Sequence, residues 1–151
     1  MSQHGDGIDL ETSLGYLLKE VSSALRASME EVLRPLGMTV THYSCLELLA
    51  QRPGLSNSEL ARGTFVTRQS MNVLLQSLEQ QGLVSRAERP VSGRVLPTEL
   101  TEAGRRQLAT ASAAVRAVED RMVAGLADGD RERLTRLLAS CAAALQHGTA
   151  R

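Results

Sequence analysis

The sequence predicts a mainly α-helical fold with one small β-hairpin, and two observations carry that prediction. Of the 151 residues, 42% are hydrophobic but only 2% are aromatic, so the core must be built from aliphatic side chains and methionine. That composition favours helices over a sandwich or a barrel, which draw on β-branched and aromatic residues. Apolar residues recur at three- and four-residue spacing through most of the chain, whereas residues 83–100 are typical of two short strands.

The first two helices follow a polar segment at residues 1–8 that contains glycine and that we expect to be flexible. The helical pattern begins near Leu10, and Pro35 and Gly37 end it. Thr41 is well suited to be the N-cap of the second helix, because its hydroxyl can accept a hydrogen bond from a free backbone N–H.

The third and fourth helices have the sharpest boundaries. Ser56 and Glu59 have the spacing of a capping box, so a short helix starts there, and Gly63 and Thr64 interrupt it. Thr67 is the predicted N-cap of the next helix. Gly82 follows that helix and suits a left-handed C-terminal cap.

A hairpin and two further helices complete the chain. Residues 83–88 and 94–100 are the predicted strands, and the turn-forming RPVSG at residues 89–93 joins them. A long helix is expected from Thr101 to about Leu126, and the last helix follows an ADGD turn with a clear apolar stripe.

A short helix, a turn, a second helix and a hairpin make a winged helix-turn-helix, whose second helix enters the major groove of DNA. The exposed side of the fourth helix carries amide and guanidinium donors and no acid before Glu79, which suits base edges and phosphates. A solvated face of an ordinary helical bundle would look similar, but the arginines of the hairpin favour DNA. The candidate contacts are Thr67, Arg68, Gln69, Ser70 and Asn72 for the groove, Ser56 and Ser58 for the backbone, and Arg86, Arg89 and Arg94 for the wing.

Overall charge and cysteine content exclude few classes of function. The formal net charge is zero, so any attraction to nucleic acid must come from local charge. The two cysteines lie far apart and form no disulfide framework, and the chain contains neither a signal peptide nor an apolar run that could cross a bilayer. We therefore expect a cytoplasmic protein.

Two segments resemble the MarR/SlyA family of bacterial transcription regulators. They are LSNSELARGTFVTRQSMNVLLQSLEQQGLVSR at residues 55–86 and LTEAGRRQL at residues 100–108. The resemblance implies a homodimeric, ligand-responsive repressor on a pseudo-palindromic operator. It implies a winged helix-turn-helix domain over residues 41–100 and a helical dimerisation region over residues 9–40 and 101–147.

The wing departs from the family pattern, which usually reads Asp-x-Arg. Here the corresponding residues are Ser92, Gly93 and Arg94, so the minor-groove arginine is kept and the aspartate is missing. The resemblance assigns Arg94 to the minor groove and leaves the rigidity of the wing open.

The resemblance also implies a small aromatic or phenolic effector. The candidate ligand-binding residues are Tyr16, Arg26, His42 and Tyr43. With three histidines in the chain and none between residues 101 and 126, the sequence gives no support for a metal site, and no cofactor is expected.

Three other functions stay open beside the repressor. The neutral net charge and the altered wing would suit a winged-helix protein–protein interaction module without DNA binding. Cys45 or Cys141 could serve a cysteine-based redox-sensing regulator, although both continue apolar stripes and suit packing better. An enzyme finds little support, because the sequence has no phosphate loop and no nucleophile elbow.

Overall fold

The computed structural model describes residues 7–86 and 97–147. Within them the chain forms six α-helices, a 3₁₀ turn at Arg34–Leu36 and one antiparallel pair of strands. The elements are α1 (Leu14–Leu33), α2 (Val40–Gln51), α3 (Asn57–Thr64), α4 (Arg68–Gln80), β1 (Val84–Arg86), β2 (Thr98–Leu100), α5 (Glu102–Val123) and α6 (Asp130–His147). The predicted order of helices and hairpin is therefore confirmed.

The chain divides into two compact units, residues 1–118 and residues 119–151. The first unit holds α1 to β2 and most of α5. The second holds the end of α5 and all of α6, and Arg131 pairs there with Asp120 at 2.6 Å and with Glu119 at 3.8 Å.

The core of the first unit is aliphatic, as the composition requires. Leu33, Leu46, Leu60, Met71 and Leu75 are each fully buried, and they come from four successive helices. Because α1, α2, α3 and α4 share this core, the outer face of α4 is held by packing rather than by helix propensity.

The two strands pair antiparallel with Val84 opposite Leu100 and Arg86 opposite Thr98. Val84 and Leu100 are buried, so the base of the hairpin belongs to the core. The strands are shorter than predicted within the described residues, and the turn RPVSG lies outside those residues.

Three helix boundaries differ from the prediction. Helix α1 begins at Leu14 rather than near Leu10, because Ser13 is the N-cap and its Oγ accepts from the N–H of Tyr16 at 3.3 Å. Helix α2 begins at Val40, so Thr41 lies inside it, and the N-cap is Thr39. Helix α5 ends at Val123, short of Leu126.

Three other predicted boundaries are confirmed. Ser56 and Thr67 are N-caps with extended backbone, and Ser56 forms the full capping box with Glu59. Gly82 has a φ of 75°, and the N–H of Leu83 donates to the carbonyl of Leu78 at 2.9 Å, as in a Schellman motif.

Candidate nucleic-acid interface

Helix α4 has one buried face and one exposed face. Met71, Leu75 and Leu78 are at most 1% exposed and anchor the helix to the core. The opposite face leaves a continuous set of side chains open to solvent, and they are Arg68, Gln69, Asn72, Val73 and Gln76. These side chains offer guanidinium, amide and methyl groups, the three kinds of group that read base edges in a major groove.

The start of α4 is ordered by its own hydroxyl groups. Thr67 Oγ1 accepts from the N–H of Ser70 at 3.1 Å and donates to Ser70 Oγ at 2.9 Å. Both side chains are exposed, and each hydroxyl oxygen is partly used inside the protein. Thr67 and Ser70 therefore fix the end of the helix that presents its free N–H groups and positive dipole to solvent, where a phosphate would bind.

The electrostatics of α4 favour an anionic partner. The helix contains no acidic residue before Glu79. Within residues 7–86 and 97–147, Arg68 takes part in none of the ion pairs, so its charge is not neutralised there. The exposed guanidinium is thus available for a phosphate or a guanine.

The start of α3 is equally well ordered but more enclosed. Ser56 Oγ accepts from the N–H of Glu59 at 3.2 Å, and Glu59 Oε1 accepts from the N–H of Ser56 at 3.3 Å. Hydrogen bonds to its carboxylate from the side chain and the backbone N–H of Ser56 lower the pKa of Glu59. Ser56 and Ser58 are both half-buried, so any contact they make with a DNA backbone comes from the rim of the surface.

A side-chain hydrogen bond joins α3 to the exposed face of α4. Asn57, the first residue of α3, donates from Nδ2 to Oδ1 of Asn72. Nothing in the sequence links these two residues, because their contact depends on how the helices pack. Asn57 is therefore a candidate site residue that the sequence could not reveal.

The turn between the helices also differs from the sequence-based interpretation. Helix α3 continues through Gly63 and ends at Thr64, and its C-cap is Phe65 in a left-handed conformation with φ 60°. Phe65 is 91% exposed. An aromatic residue at a position that favours glycine gives no turn signal, so the sequence predicts the end of α3 too early.

Of the three predicted wing arginines, Arg86 belongs to the described residues. Arg89 and Arg94, with Ser92 and Gly93, are outside the described residues. The Arg86 side chain is 21% exposed, and its Nε lies 3.9 Å from Glu79. Within the described residues, Nε and Nη2 of Arg86 make no hydrogen bond. Arg86 thus sits at the base of the hairpin, and its contact with DNA stays a prediction.

The four candidate effector residues are spread over α1 and α2. Tyr16 and Arg26 are both exposed on α1, and ten residues of helix separate them by about 15 Å. Arg26 pairs with Glu30 at 3.2 Å. The two residues are therefore not neighbours on α1.

On α2 the two candidates are adjacent and half-buried. His42 Nδ1 accepts from the N–H of Thr39 at 3.2 Å, and burial lowers the pKa of this imidazole. The neutral ring is therefore part of the capping box of α2. A cavity of about 360 Å³ lies between α2, β2 and α5, and Tyr16, Arg26, His42 and Tyr43 are not among its lining residues.

Cys45 has the environment of a structural thiol. It is fully buried, and its Sγ lies 3.9 Å from Sδ of Met71. Burial raises the pKa of Cys45 to about 12, against a smaller opposing effect of the Arg86 charge. A thiol that stays protonated is a poor redox sensor. Cys141 is exposed on α6.

The described residues contain neither a candidate metal site nor a candidate membrane span. No group of three or more His, Cys, Asp or Glu side chains within residues 7–86 and 97–147 could hold a metal ion. In that part of the chain no helix has the length and hydropathy needed to cross a bilayer.

Comparisons with known proteins agree with this geometry. The family model described as MarR family matches residues 36–95. The HTH-type transcriptional repressor Rv2887 of Mycobacterium tuberculosis is 42% identical over 132 residues, which cover 87% of this chain and 95% of that protein. Its crystal structure in complex with DNA has a TM-score of 0.74 at 40% identity and covers 86% of this chain and 98% of that chain.

A second relative is more distant in sequence and similar in fold. The transcriptional repressor CouR bound to a 23-mer DNA duplex has a TM-score of 0.79 at 30% identity, and the match covers 91% of this chain and 99% of that chain. CouR from Rhodococcus jostii has also been solved with p-coumaroyl-CoA. With a relative this similar over nearly its whole length, and with the helix-turn-helix in place, the chain belongs to the MarR family.

Proposed function

We propose that this protein is a ligand-responsive transcriptional repressor that binds duplex DNA through α4. The observation that carries the proposal is the exposed face of α4, where Arg68, Gln69 and Asn72 follow a well-ordered N-terminus without a neighbouring acid. The likeness to Rv2887 and CouR, both solved with DNA and both named as repressors, supports it. Such a protein acts in the cytoplasm, where the DNA is.

The binding mode we propose places α4 in the major groove and the wing beside it. Arg68 and Gln69 meet base edges or phosphates at the N-terminal end of α4. Arg94 and Arg89 serve the wing, and Ser56 and Ser58 contact the backbone. Two such surfaces in a homodimer would read a pseudo-palindromic operator whose half-sites lie about one helical turn apart.

Salt dependence tests the proposal most directly. Neutralised phosphates release counterions, so log affinity falls linearly with log salt in proportion to the number of contacts. We expect the protein to bind a duplex from upstream of its own gene with a dissociation constant near 10⁻⁸ M or below, on the order expected for specific complexes. Fluorescence anisotropy at several salt concentrations would measure both quantities.

The matched variants are Arg68→Ala and Arg136→Ala. Each removes one exposed arginine, but only Arg68 lies on α4. Arg68→Ala should weaken binding about tenfold and reduce the salt slope by about one. Arg136→Ala should leave both unchanged. Equal effects of the two variants, or weak binding that competitor DNA removes, would instead favour a protein–protein interaction module.

The effector we propose is a small aromatic acid. Rv2887 has been solved with salicylic acid and CouR with p-coumaroyl-CoA, so aromatic carboxylates are the first compounds to test. His42 and Tyr43 offer a half-buried pair of rings on α2 for such a molecule. Salicylate should release the DNA complex at millimolar concentration or below. His42→Ala should raise the salicylate concentration needed to release the DNA. Without salicylate, the DNA affinity of this variant should be unchanged. Salicylate that leaves the complex intact would exclude this acid as the effector.

A further inference from the structure

The hydrogen bond between Asn57 and Asn72 is the feature of this surface that the proposed function does not yet use. Asn57 Nδ2 donates to Asn72 Oδ1, and the two residues lie fifteen positions apart on α3 and α4. Asn72 is exposed, whereas Asn57 is half-buried. The contact therefore connects the exposed face of α4 to the first turn of α3.

Both partners are held by rigid elements. Asn57 directly follows Ser56, whose capping box with Glu59 fixes the first turn of α3. Asn72 follows Met71, which is fully buried in the core. Because neither backbone is free to move, the hydrogen bond fixes the orientation of the Asn72 amide group.

That orientation decides what Asn72 can recognise. A free asparagine reads adenine with two hydrogen bonds, for which Oδ1 accepts from N6 and Nδ2 donates to N7. Here the hydrogen bond turns Oδ1 towards Asn57, so Nδ2 with its two hydrogens is the part of the exposed amide that is turned away from Asn57. An outward pair of donors matches a base edge that carries two acceptors. Guanine, with N7 and O6, is the base that presents such an edge in the major groove.

We propose that Asn57 is a positioning residue that turns Asn72 into a hydrogen-bond donor and gives this repressor a preference for guanine at one position of each half-site. The proposal rests on the proposed function, because it requires α4 to enter the major groove. It assigns to Asn57 no contact with DNA of its own.

The experiment begins with the full-length protein and a random-sequence duplex library, which yields the preferred operator. Affinities are then measured for that operator and for every single base-pair change, with wild type, Asn57→Ala, Asn72→Ala and the double variant. The wild type should prefer guanine at one position of each half-site, and Asn72→Ala should lose that preference. In Asn57→Ala the ratio of affinities for guanine and for the other bases at that position should fall about tenfold, while the affinity for non-specific DNA is unchanged.

The double variant separates positioning from an independent contact. If Asn57 acts only through Asn72, the double variant should discriminate no worse than Asn72→Ala alone. Thermal unfolding of each variant checks that the fold is kept, since both side chains lie at the surface.

A reversal of the hydrogen bond gives a sharper test. Asn57→Asp has acceptors only, so it must accept from Asn72 Nδ2 and turn Oδ1 outward. The preferred base should then move from guanine towards cytosine or adenine, whose exocyclic amino groups donate. Ser58→Asp is the control, because it adds the same charge one residue further along α3. It should weaken binding evenly across all operators.

Two results would overturn the proposal in different ways. An unchanged base profile in Asn57→Ala and Asn57→Asp, or an adenine that depends on Asn72 in the wild type, would remove the positioning role and leave the DNA-binding function intact. Selection of no sequence at all, with weak binding that is insensitive to salt, would refute the proposed function and the positioning role with it.

Discussion

At the scale of single residues, Phe65 combines two costs that proteins usually avoid. Its backbone is left-handed with φ 60°, and the residue is 91% exposed. The left-handed conformation costs a residue with a Cβ about 1 kcal/mol or more, and glycine is free of that cost. Phe65→Gly should therefore raise the free energy of unfolding by about 1 kcal/mol relative to Phe65→Ala, which keeps the Cβ and loses only the ring.

Urea denaturation of the two variants measures that difference. The comparison with alanine isolates the backbone conformation, because both variants remove the exposed ring. Equal stabilities would mean that the turn relaxes to another conformation when the ring is absent. If Phe65→Gly also loses DNA affinity, the ring contributes to the surface formed by α3 and α4.

Helix caps were the best predicted single residues, and their failures have a local cause. Ser56 and Thr67 follow clear breaks, so only one N-cap fits each helix. Thr39 and Thr41 lie two residues apart, and either can cap by residue type. The choice falls on Thr39 because the side chain of His42 completes the capping box, an uncommon role for histidine that residue type alone does not indicate.

The site was predicted to the extent that it depends on one helix. Periodicity places Arg68, Gln69 and Asn72 opposite the buried stripe of α4, and the structure confirms that they are exposed. The sequence did not predict Asn57 as a site residue, because its hydrogen bond to Asn72 depends on the packing of α3 against α4. A hydrogen bond between helices leaves no periodic signal in one sequence.

At the scale of elements, hydrogen bonds join the start of α5 to the two residues that precede β1. Thr101 Oγ1 donates to the carbonyl of Gly82 at 2.6 Å, and the N–H of Thr101 donates to the carbonyl of Leu83 at 3.0 Å. The N–H of Gly104 donates to Thr101 Oγ1 at 3.0 Å. This arrangement gives the Leu-Thr-x-x-Gly segment a structural role, because it joins the wing to the long helix.

Gly104 is required by this arrangement, since a Cβ added there would overlap the backbone of Leu83. Backbone atoms cannot move aside as a flexible side chain can. Gly104→Ala should therefore lower the free energy of unfolding by about 1–3 kcal/mol, although alanine is the better helix former. Chemical denaturation measures the loss.

The control for Gly104 is Gly15→Ala in α1. An added Cβ at Gly15 meets no atom within 4 Å, so this variant should be neutral or slightly more stable. Similar losses in both variants would mean that close approach to Leu83 is not what excludes a side chain at residue 104.

At the scale of the whole molecule, α1 and α6 each carry apolar side chains that a single chain leaves uncovered. On α1 they are Leu14, Leu17, Leu18 and Val21, between 40% and 69% exposed. On α6 they are Leu134, Leu137, Leu138 and Leu145, between 39% and 77% exposed. Exposed apolar stripes on both terminal helices are what an interface between two copies would require.

The sequence predicted these stripes but not what covers them. Three- and four-residue spacing identifies an apolar face without distinguishing a core from an interface. Within the described residues, the apolar faces of α1 and α6 are exposed to solvent. A second copy of this chain, as in the homodimer that the family resemblance implies, would cover them. It also explains how one recognition helix per chain would read two half-sites.

Leu137→Glu tests that dimer. A charge at the centre of an apolar interface costs several kcal/mol, so the variant should sediment as a monomer at concentrations where the wild type is a dimer. Ala143→Glu is the matched control. It lies about two and a half turns from Leu134 and hence on the opposite side of α6 from the stripe, so it should leave the dimer intact.

The same pair of variants links the dimer to DNA binding. A monomer keeps α4 and its wing but can occupy only one half-site, so Leu137→Glu should bind the full operator with an affinity no higher than that for an isolated half-site. Ala143→Glu should retain the difference of at least a hundredfold that a second tethered contact provides. If Leu137→Glu stays dimeric in sedimentation and keeps wild-type affinity, the stripe of α6 serves another contact, and the subunit interface must be sought elsewhere on the chain.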